Sequence, residues 1–205
     1  MSDIKALIFD VDGVLVTGRP SDGRRWDEDL KVDLGIDPAE LAEKFFKPYW
    51  QDIQLGRVDM EARLGPVLED IAPHVSADRL VDYWFMADAR LETGLLSQID
   101  RLRTGTGLGA HLATNQEHGR AQYLWRDLGL GQKFDRLFYS ADLGLAKPDQ
   151  AFYRHIQDEL NLEPAQILFF DDQPKNVEAA RQAGWQTSHW THPGTFEQTV
   201  AELSL

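Results

Sequence analysis

Short runs of consecutive apolar residues recur along this chain, and polar residues follow each run at once. The first run is Ala6-Leu7-Ile8-Phe9, and three later ones lie within residues 110–116, 136–144 and 166–174. Unbroken apolar runs of this length are typical of parallel strands that are buried on both faces of a sheet. We therefore predict a strand in each of these four segments.

Helical patterns follow each of the later predicted strands, at residues 119–128, 149–160 and 176–183. Gly129 and Gly184 come after the first and third of these segments, as expected for residues that end a helix, and Pro148 and Asp149 open the second. Strands that alternate with helices predict an α/β fold, with a parallel sheet covered by helices on both faces. In such a sheet the ligand site lies beyond the carboxyl ends of the strands.

Residues 19–92 interrupt this alternation, because they contain helical patterns and no convincing strand. The helical stretches lie at residues 38–55, 59–71 and 77–89. The Gly65-Pro66 pair should kink or split the second stretch. We predict a core domain made of residues 1–18 and 93–205, with a small helical cap domain at residues 19–92 inserted into it.

The composition excludes several classes of function. Among 205 residues there is no cysteine, which rules out disulfides, thiolate nucleophiles and cysteine-based zinc sites. The formal net charge of −13 disfavours binding to nucleic acid and to anionic membranes. No apolar run approaches the roughly 20 residues of a membrane span, and the N-terminus does not resemble a secretory signal. We expect a cytoplasmic protein that binds neither nucleic acid nor membranes.

Polar side chains suited to chemistry stand at the ends of the predicted strands. Asp10 and Asp12 end the first strand, where buried carboxylates are costly unless a cation compensates them. The later strand ends and one loop add further polar groups: Thr114, Asn115, Lys147, Asp171 and Asp172. Carboxylates bind Mg²⁺, while hydroxyl, amide and ammonium groups can donate to phosphate oxygens. This set predicts a phosphoryl-transfer site in which one carboxylate is left as the nucleophile.

Four motifs in the chain resemble those of the haloacid dehalogenase superfamily, in the same order and with similar spacing. They read DVDGV at residues 10–14, LATN at 112–115, LAKPD at 145–149 and FFDDQPKNVEAARQAGW at 169–185. The resemblance covers the whole predicted sheet domain and implies a Rossmann-like core with a helical-bundle cap. The chain is most similar to the branch that contains sugar-1-phosphatases and the N-terminal phosphatase-like domains of epoxide hydrolases.

The resemblance implies a role for each carboxylate of the first motif. Asp10 would be the nucleophile that attacks phosphorus and also a Mg²⁺ ligand. Asp12 would be the general acid and base, with its backbone carbonyl on the metal. An acid at this position suits phosphate esters, because it can protonate a departing alkoxide and later activate water. The dehalogenases of the superfamily lack this acid, which argues against cleavage of a carbon–halogen bond.

The resemblance also implies roles for the later motifs. Thr114 and Lys147 would hold the phosphoryl group, with help from Asn115. In the acidic pair, Asp172 would bind the metal directly, and Asp171 would act behind it or through a water molecule. All four acids, Asp10, Asp12, Asp171 and Asp172, are therefore expected in the metal site.

These features predict a Mg²⁺-dependent phosphatase that acts on a small phosphorylated metabolite, a sugar phosphate being one candidate. The reaction would pass through an aspartyl-phosphate on Asp10, and the protein would be a monomer or a homodimer. Two alternatives stay open: a sugar phosphomutase that uses the same intermediate, and a catalytically inactive binding protein on the same fold.

Other residues near the predicted junction of cap and core lie outside the motifs. Arg19, Arg24 and Arg25 are expected to be solvated rather than to recognise substrate, and His118 and Arg120 could lie either at a solvated helix start or at the rim of the cleft. Most aromatic residues of the cap are expected to fill its core, with one or two lining the cleft; they are Trp26, Phe45, Phe46, Tyr49, Trp50, Trp84 and Phe85. Hinges are expected near Gly18 and Gly94.

Overall fold

The structure is a computed structural model that describes residues 3–205. It contains a five-stranded parallel sheet with the strand order β3-β2-β1-β4-β5. The strands are β1 (Ala6–Phe9), β2 (Gly109–Thr114), β3 (Arg136–Tyr139), β4 (Ile167–Asp171) and β5 (Gln186–His189). The predicted α/β fold is confirmed, and β1 lies at the centre of the sheet.

Helices connect the strands and cover the sheet. Those of the described residues are α1 (Leu30–Leu34), α2 (Pro38–Leu41), α3 (Lys47–Gln54), α4 (Met60–Ile71), α5 (Ala77–Ala87), α6 (Thr93–Thr106), α7 (His118–Gln122), α8 (Ser140–Leu143), α9 (Gln150–Leu160), α10 (Pro174–Gln182) and α11 (Thr195–Leu203). Wide π-type turns join α2 to α3 and extend α7, at Ala42–Phe46 and Tyr123–Asp127. Within residues 3–205, no helix combines the length and the apolar character that crossing a membrane requires.

Both faces of the sheet are buried, which explains the unbroken apolar sequence of β1. Leu7 and Phe9 pack into a cluster that includes residues of α6 and α11. Ile8 points to the opposite face and packs into a cluster with residues of α9 and α10. Since successive side chains of a strand point to opposite faces, a strand covered on both sides needs apolar residues at every position.

Residues 30–85 supply all the fully buried members of a third hydrophobic cluster. Phe45, Trp84 and Phe85 are buried in it, while four other aromatic residues of the predicted cap are partly buried and pack against it: Trp26, Phe46, Tyr49 and Trp50. Of the described residues, those from 19 to 89 contain no strand. The division into a core and a cap domain stays a proposal, which this separate cluster supports.

Two extended segments link this helical part to the sheet. The backbone N–H of Thr17 donates to the carbonyl of Arg90 at 2.9 Å, and that of Glu92 donates to the carbonyl of Leu15 at 2.9 Å. Gly18 has a φ of +80°, and a Cβ there would meet the carbonyl oxygen of Arg24 at 2.5 Å. The segments therefore run side by side, and glycine is required at residue 18 by both its conformation and its close neighbours.

Several predicted boundaries differ from the structure. The α4 helix runs unbroken through Gly65 and Pro66, so the expected split is absent. Pro66 lies on the exposed side of α4, whereas Leu64 and Leu68 hold the opposite side in the cap cluster. Gly94 lies inside α6 rather than in a linking segment. The strand β5 and the helices α1, α6, α8 and α11 were not predicted. The strand expected within residues 136–144 ends at Tyr139, and α8 follows it directly. Residues 1 and 2 of the predicted core segment lie outside the described residues.

Candidate active site

The predicted site residues lie around one cavity at the carboxyl ends of β1, β2 and β4. These strands are neighbours in the sheet, so the residues that follow them meet at one edge. The cavity has a volume of about 630 Å³ and is lined by Asp10, Asp12, Gly13, Arg25, Thr114, Asn115, Lys147, Asp172, Gln173, Lys175 and Asn176. Asp171, the last residue of β4, lies beneath this surface and is fully buried. The structure thus brings the predicted residues together, and it adds Gln173, Lys175 and Asn176, which the sequence did not single out.

Lys147 is buried between two carboxylates. Its Nζ lies 2.8 Å from Asp10 Oδ1 and 2.7 Å from Asp171 Oδ2. Burial alone would lower the pKa of Lys147, but the charges of the two carboxylates raise it above its usual value. The ammonium group therefore stays charged, and it compensates part of the negative charge of both partners.

Asn115 fixes the backbone of Lys147 from the neighbouring strand end. Its Nδ2 donates to the carbonyl of Lys147 at 2.9 Å, and its Oδ1 accepts from the backbone N–H of Lys147 at 2.9 Å. The side-chain amide is engaged by these two bonds. Asn115 therefore positions the lysine, and a direct contact of its amide with phosphate stays a prediction. Thr114, the last residue of β2, is buried at the floor of the cavity.

Asp10 is nearly buried at the end of β1, and its Oδ1 accepts a hydrogen bond of 2.7 Å from the backbone N–H of Val11. Burial raises the pKa of Asp10 above its usual range; Lys147 opposes this rise, and Asp171 and Asp12 add to it. Negative charge is thus in excess around Asp10, because one ammonium group faces two buried carboxylates. A divalent cation would remove this excess.

Carboxylate oxygens of Asp10, Asp171 and Asp172 lie within 4.8 Å of one another. Hard oxygen donors at this spacing fit Mg²⁺. Asp171 already accepts from Lys147 Nζ, from the backbone N–H of Gln173 at 2.8 Å and from Asn176 Nδ2 at 3.0 and 3.1 Å. Because both of its oxygens are occupied, the geometry favours an indirect role for Asp171.

Asp172 is more accessible than Asp171, and its Oδ2 accepts from Gln173 Nε2 at 2.8 Å. Burial raises the pKa of Asp172. The loop after β1 approaches this carboxylate closely: Gly13 has a φ of +83°, and a Cβ there would lie 2.6 Å from Asp172 Oδ2. The glycine of the DVDGV motif therefore allows the first and last motifs to meet.

Asp12 has a half-exposed side chain that two neighbours contact. Gln116 Nε2 donates to Asp12 Oδ2, and a guanidinium nitrogen of Arg120 lies 3.7 Å from Asp12 Oδ1. Neither neighbour belongs to the motifs. Gln116 follows the LATN motif by one residue, and its burial could have been suspected only from its closeness to that motif.

Arg120 is buried, so neither of the placements expected for it is correct. Its guanidinium group donates to the backbone carbonyls of Phe85 and Asp88 and lies over the rings of Phe85 and Tyr123, 5.4 and 5.5 Å from their centroids. Burial, and next the charge of Asp12, raise the pKa of Asp88 to about 6. Arg120 thus connects the end of α5 in the helical part with Asp12 at the sheet. His118, by contrast, is exposed at the start of α7.

The arginine residues near the first motif are paired with acids. Arg19 is buried rather than solvated as expected, and it pairs with Asp22 and Asp29. Arg24 and Arg25 are exposed, in agreement with the expectation, although Arg25 also borders the cavity at the strand ends.

Comparison with known proteins decides the family. The sequence model described as "Hydrolase: haloacid dehalogenase-like hydrolase" matches residues 4–184, which is most of the chain. The chain belongs to the haloacid dehalogenase-like hydrolases. The predicted family and the predicted hydrolase class are both confirmed, and the inactive alternative loses support.

Curated relatives of this hydrolase carry phosphatase names. A sesquiterpene phosphatase of Aspergillus oryzae is 29% identical over 197 residues, which cover 91% of this chain and 90% of the relative. A phosphoglycolate phosphatase of Rhodospirillum rubrum is 29% identical over 88% of this chain and 76% of its own length. Among solved structures, a HAD family enzyme of Bacteroides thetaiotaomicron has a TM-score of 0.78 at 18% identity, covering 96% of this chain and 98% of the other. This last similarity shows the fold.

Proposed function

We propose that this hydrolase is a Mg²⁺-dependent phosphatase that hydrolyses a small phosphate monoester through an aspartyl-phosphate on Asp10. The observation that carries the proposal is the buried Asp10–Lys147 pair at the cavity floor, with the more accessible Asp12 two residues further along. A nucleophile, a fixed cation and an accessible acid within one cavity are the parts that phosphoryl transfer needs. The phosphatase names of the curated relatives support the same activity.

In the first step, an oxygen of Asp10 attacks phosphorus, a new oxygen–phosphorus bond forms and the bond to the ester oxygen breaks. Asp12 gives its proton to the departing oxygen, so that an alcohol leaves rather than an alkoxide. In the second step, Asp12 takes a proton from a water molecule that attacks phosphorus. This attack releases inorganic phosphate and restores the Asp10 carboxylate.

Lys147 and Thr114 stabilise the charge that spreads over the transferring phosphoryl group, because both line the cavity at the end of β2 and beside Asp10. Asn115 keeps Lys147 in place through its two backbone hydrogen bonds. Asp10 and Asp172, with the backbone carbonyl of Asp12, would hold Mg²⁺, and Asp171 would act from behind them. When bound, the metal would supply positive charge that offsets the negative charge of the nucleophile and of the phosphoryl group.

The phosphomutase alternative differs only in what attacks the intermediate: a sugar hydroxyl in place of water. No feature of the described residues favours it, and the relatives named above are phosphatases. The cytoplasmic location and the monomeric or dimeric state stay predictions.

The proposal is tested by measuring inorganic phosphate released from p-nitrophenyl phosphate, sugar phosphates, nucleotides and small organic phosphates, with Mg²⁺ and with chelator. We expect release that requires Mg²⁺ for at least one ester. Isomerised sugar phosphate without net release of phosphate would replace the phosphatase with the mutase. An inert and well-folded protein across the whole panel would contradict both.

A further inference from the structure

Two smaller cavities adjoin the catalytic cavity and share lining residues with it. The second cavity, of about 390 Å³, shares Asp12, Gly13 and Arg25 with the catalytic cavity. The third cavity, of about 280 Å³, shares Arg25 and Trp26 with the second. The three cavities therefore lie next to one another: the second borders the catalytic cavity at Asp12, and the third lies in the helical part of the molecule.

The walls of the third cavity are mainly apolar. Its lining residues are Arg25, Trp26, Asp27, Leu30, Pro38, Leu41, Ala42 and Phe46. Trp26 is fixed as one wall, because its ring stacks on that of Trp84 at 5.1 Å between centroids and meets the edge of Phe46 at 6.3 Å. An apolar volume with rigid aromatic walls favours an apolar occupant.

The charged groups of the second and third cavities do not favour an anionic occupant. The guanidinium group of Arg25 donates to both carboxylate oxygens of Asp27, at 2.9 and 2.7 Å. Arg24, the other cation in these two linings, pairs with Asp22 and Glu28. Asp12 and Asp88 also line the second cavity and would repel a negative charge. Among the described residues that line these two volumes, every cation is thus already paired.

We infer that the substrate is a phosphate monoester whose alcohol part is neutral and largely apolar. This inference rests on the phosphatase function proposed above. The phosphate occupies the catalytic cavity and the ester oxygen lies beside Asp12. The alcohol passes through the second cavity, and its apolar body fills the third cavity against Trp26. An alcohol that carries a carboxylate or a second phosphate does not suit this path.

The inference is tested with a series of straight-chain esters: methyl, butyl and hexyl phosphate, with phosphoglycolate as an anionic ester of similar size to the shortest members. The quantity measured is kcat/KM from phosphate release. Burial of each methylene is worth roughly a fourfold gain in kcat/KM, so we expect a steep rise along the series and poor turnover of phosphoglycolate.

A variant that fills the third cavity adds a second test. Ala42 lines this cavity, and Ala42→Leu should lower the ratio of kcat/KM for hexyl to methyl phosphate by roughly 15-fold, because about two methylenes of the hexyl chain are no longer buried. Ala39→Leu is the matched control, since Ala39 is exposed like Ala42 and lies one turn earlier, but does not line the cavity. The control should keep the wild-type ratio.

The outcomes separate the inference from the proposed function. Equal kcat/KM for the three alkyl esters, or a preference for phosphoglycolate or for sugar phosphates, would overturn the apolar substrate while leaving a phosphatase. An unchanged ratio in Ala42→Leu would overturn the third cavity as the binding place. Absence of phosphate release from every ester, including p-nitrophenyl phosphate, would instead overturn the phosphatase function itself.

Discussion

Two carboxylates share a single ammonium group at the floor of the catalytic cavity. Lys147 is almost completely buried, as are Asp10 and Asp171, so their charges interact with little screening by solvent. Removing one member of such a buried set leaves charge that nothing compensates. Lys147 is therefore expected to contribute both to the stability of the fold and to the chemistry.

We expect Lys147→Met to lower the free energy of unfolding by about 3–5 kcal/mol in the absence of metal. Lys133→Met is the control, since the exposed Lys133 also lies 2.7 Å from a carboxylate, that of Asp100. Loss of that exposed pair should cost less than about 1 kcal/mol. Urea unfolding in the presence of chelator measures both variants. Equal losses of unfolding free energy in the two would show that the buried charges stabilise the fold no more than the exposed pair does.

In the proposed mechanism Asp12 must reach the departing oxygen, and Gln116 Nε2 donates a hydrogen bond to its carboxylate. We expect Gln116→Leu to reduce kcat for an alkyl phosphate by roughly 10-fold or more, and kcat for an aryl phosphate much less, because a good leaving group needs little help from a general acid. Gln132→Leu, at an exposed position, is the control. Equal losses on the two esters would indicate a merely structural role for Gln116.

Most motif residues could be predicted because they stand at or just after a strand end, where the sequence pattern is plain; Lys147 lies instead in the loop between α8 and α9. Gln116 and Arg120 could not be assigned a role, since their partners are distant in sequence: 104 residues separate Gln116 from Asp12, and 35 separate Arg120 from Phe85. The burial of Arg120 depends on two aromatic rings from different elements. The sequence around Arg120 therefore does not indicate that its side chain is buried.

Among the secondary-structure elements, the edge strand β5 shows where hydrophobic patterning fails. Its sequence, Gln186-Thr187-Ser188-His189, is polar, and it is only partly covered. The strand β5 is held in the sheet by its parallel pairing with β4 on one side. The inner strands need apolar side chains on both faces and are visible in the sequence, whereas an edge strand can be built from residues that are typical of loops.

The strand β2 carries a buried histidine that should make stability depend on pH. Burial lowers the pKa of His111 from 6.5 to about 4. The charge of Asp135 opposes this decrease, and the charges of Arg136 and Arg103 add to it. The unfolded chain therefore binds a proton at a higher pH than the folded chain does. Stability conferred by the neutral ring is complete above pH 6.5 and is lost as the pH falls from 6.5 toward 4.

We expect the His111 contribution to the free energy of unfolding to fall by about 2 kcal/mol between pH 7 and pH 5. His111→Leu removes the titrating group, so the variant should show a smaller loss of stability over this interval by about that amount. Urea unfolding at the two pH values measures it. The same pH dependence of stability in wild type and variant would show that His111 is not its source.

At the scale of the whole molecule, the excess of negative charge around Asp10 links metal binding to folding. A ligand that binds only the folded state stabilises it by mass action, by about 2.7 kcal/mol at a concentration 100 times the dissociation constant. We expect Mg²⁺ to raise the melting temperature in a saturable way, and chelator to reverse the rise. This readout does not require activity.

Asp172→Asn should abolish most of the Mg²⁺-dependent shift, because it removes a carboxylate of the proposed metal site. Asp158→Asn is the control, since Asp158 is exposed on α9, away from the cavity. Melting followed by circular dichroism over a range of Mg²⁺ concentrations checks both. An equal shift in Asp172→Asn and in wild type would place the metal elsewhere.

The helical part and the sheet meet near Asp12, the proposed general acid, as well as at the two linking segments. Arg120 contacts carbonyls at the end of α5 and lies near Asp12, while Gln54 Nε2 donates to the carbonyl of Asn115 at 3.2 Å. The position of the helical part is thus coupled to residues of the proposed active site. The sequence predicted an inserted helical segment, but these contacts could be seen only in three dimensions.

The most direct test of the proposed mechanism is phosphate release by Asp10→Asn, compared with wild type and with Asp142→Asn, an exposed control on α8. The substrate is the best ester of the panel, with saturating Mg²⁺, and circular dichroism verifies the fold of each protein. We predict that Asp10→Asn loses roughly 10³-fold or more in kcat, whereas Asp142→Asn keeps the wild-type rate. A folded Asp10→Asn variant that releases phosphate as fast as wild type would contradict the assignment of Asp10 as the nucleophile.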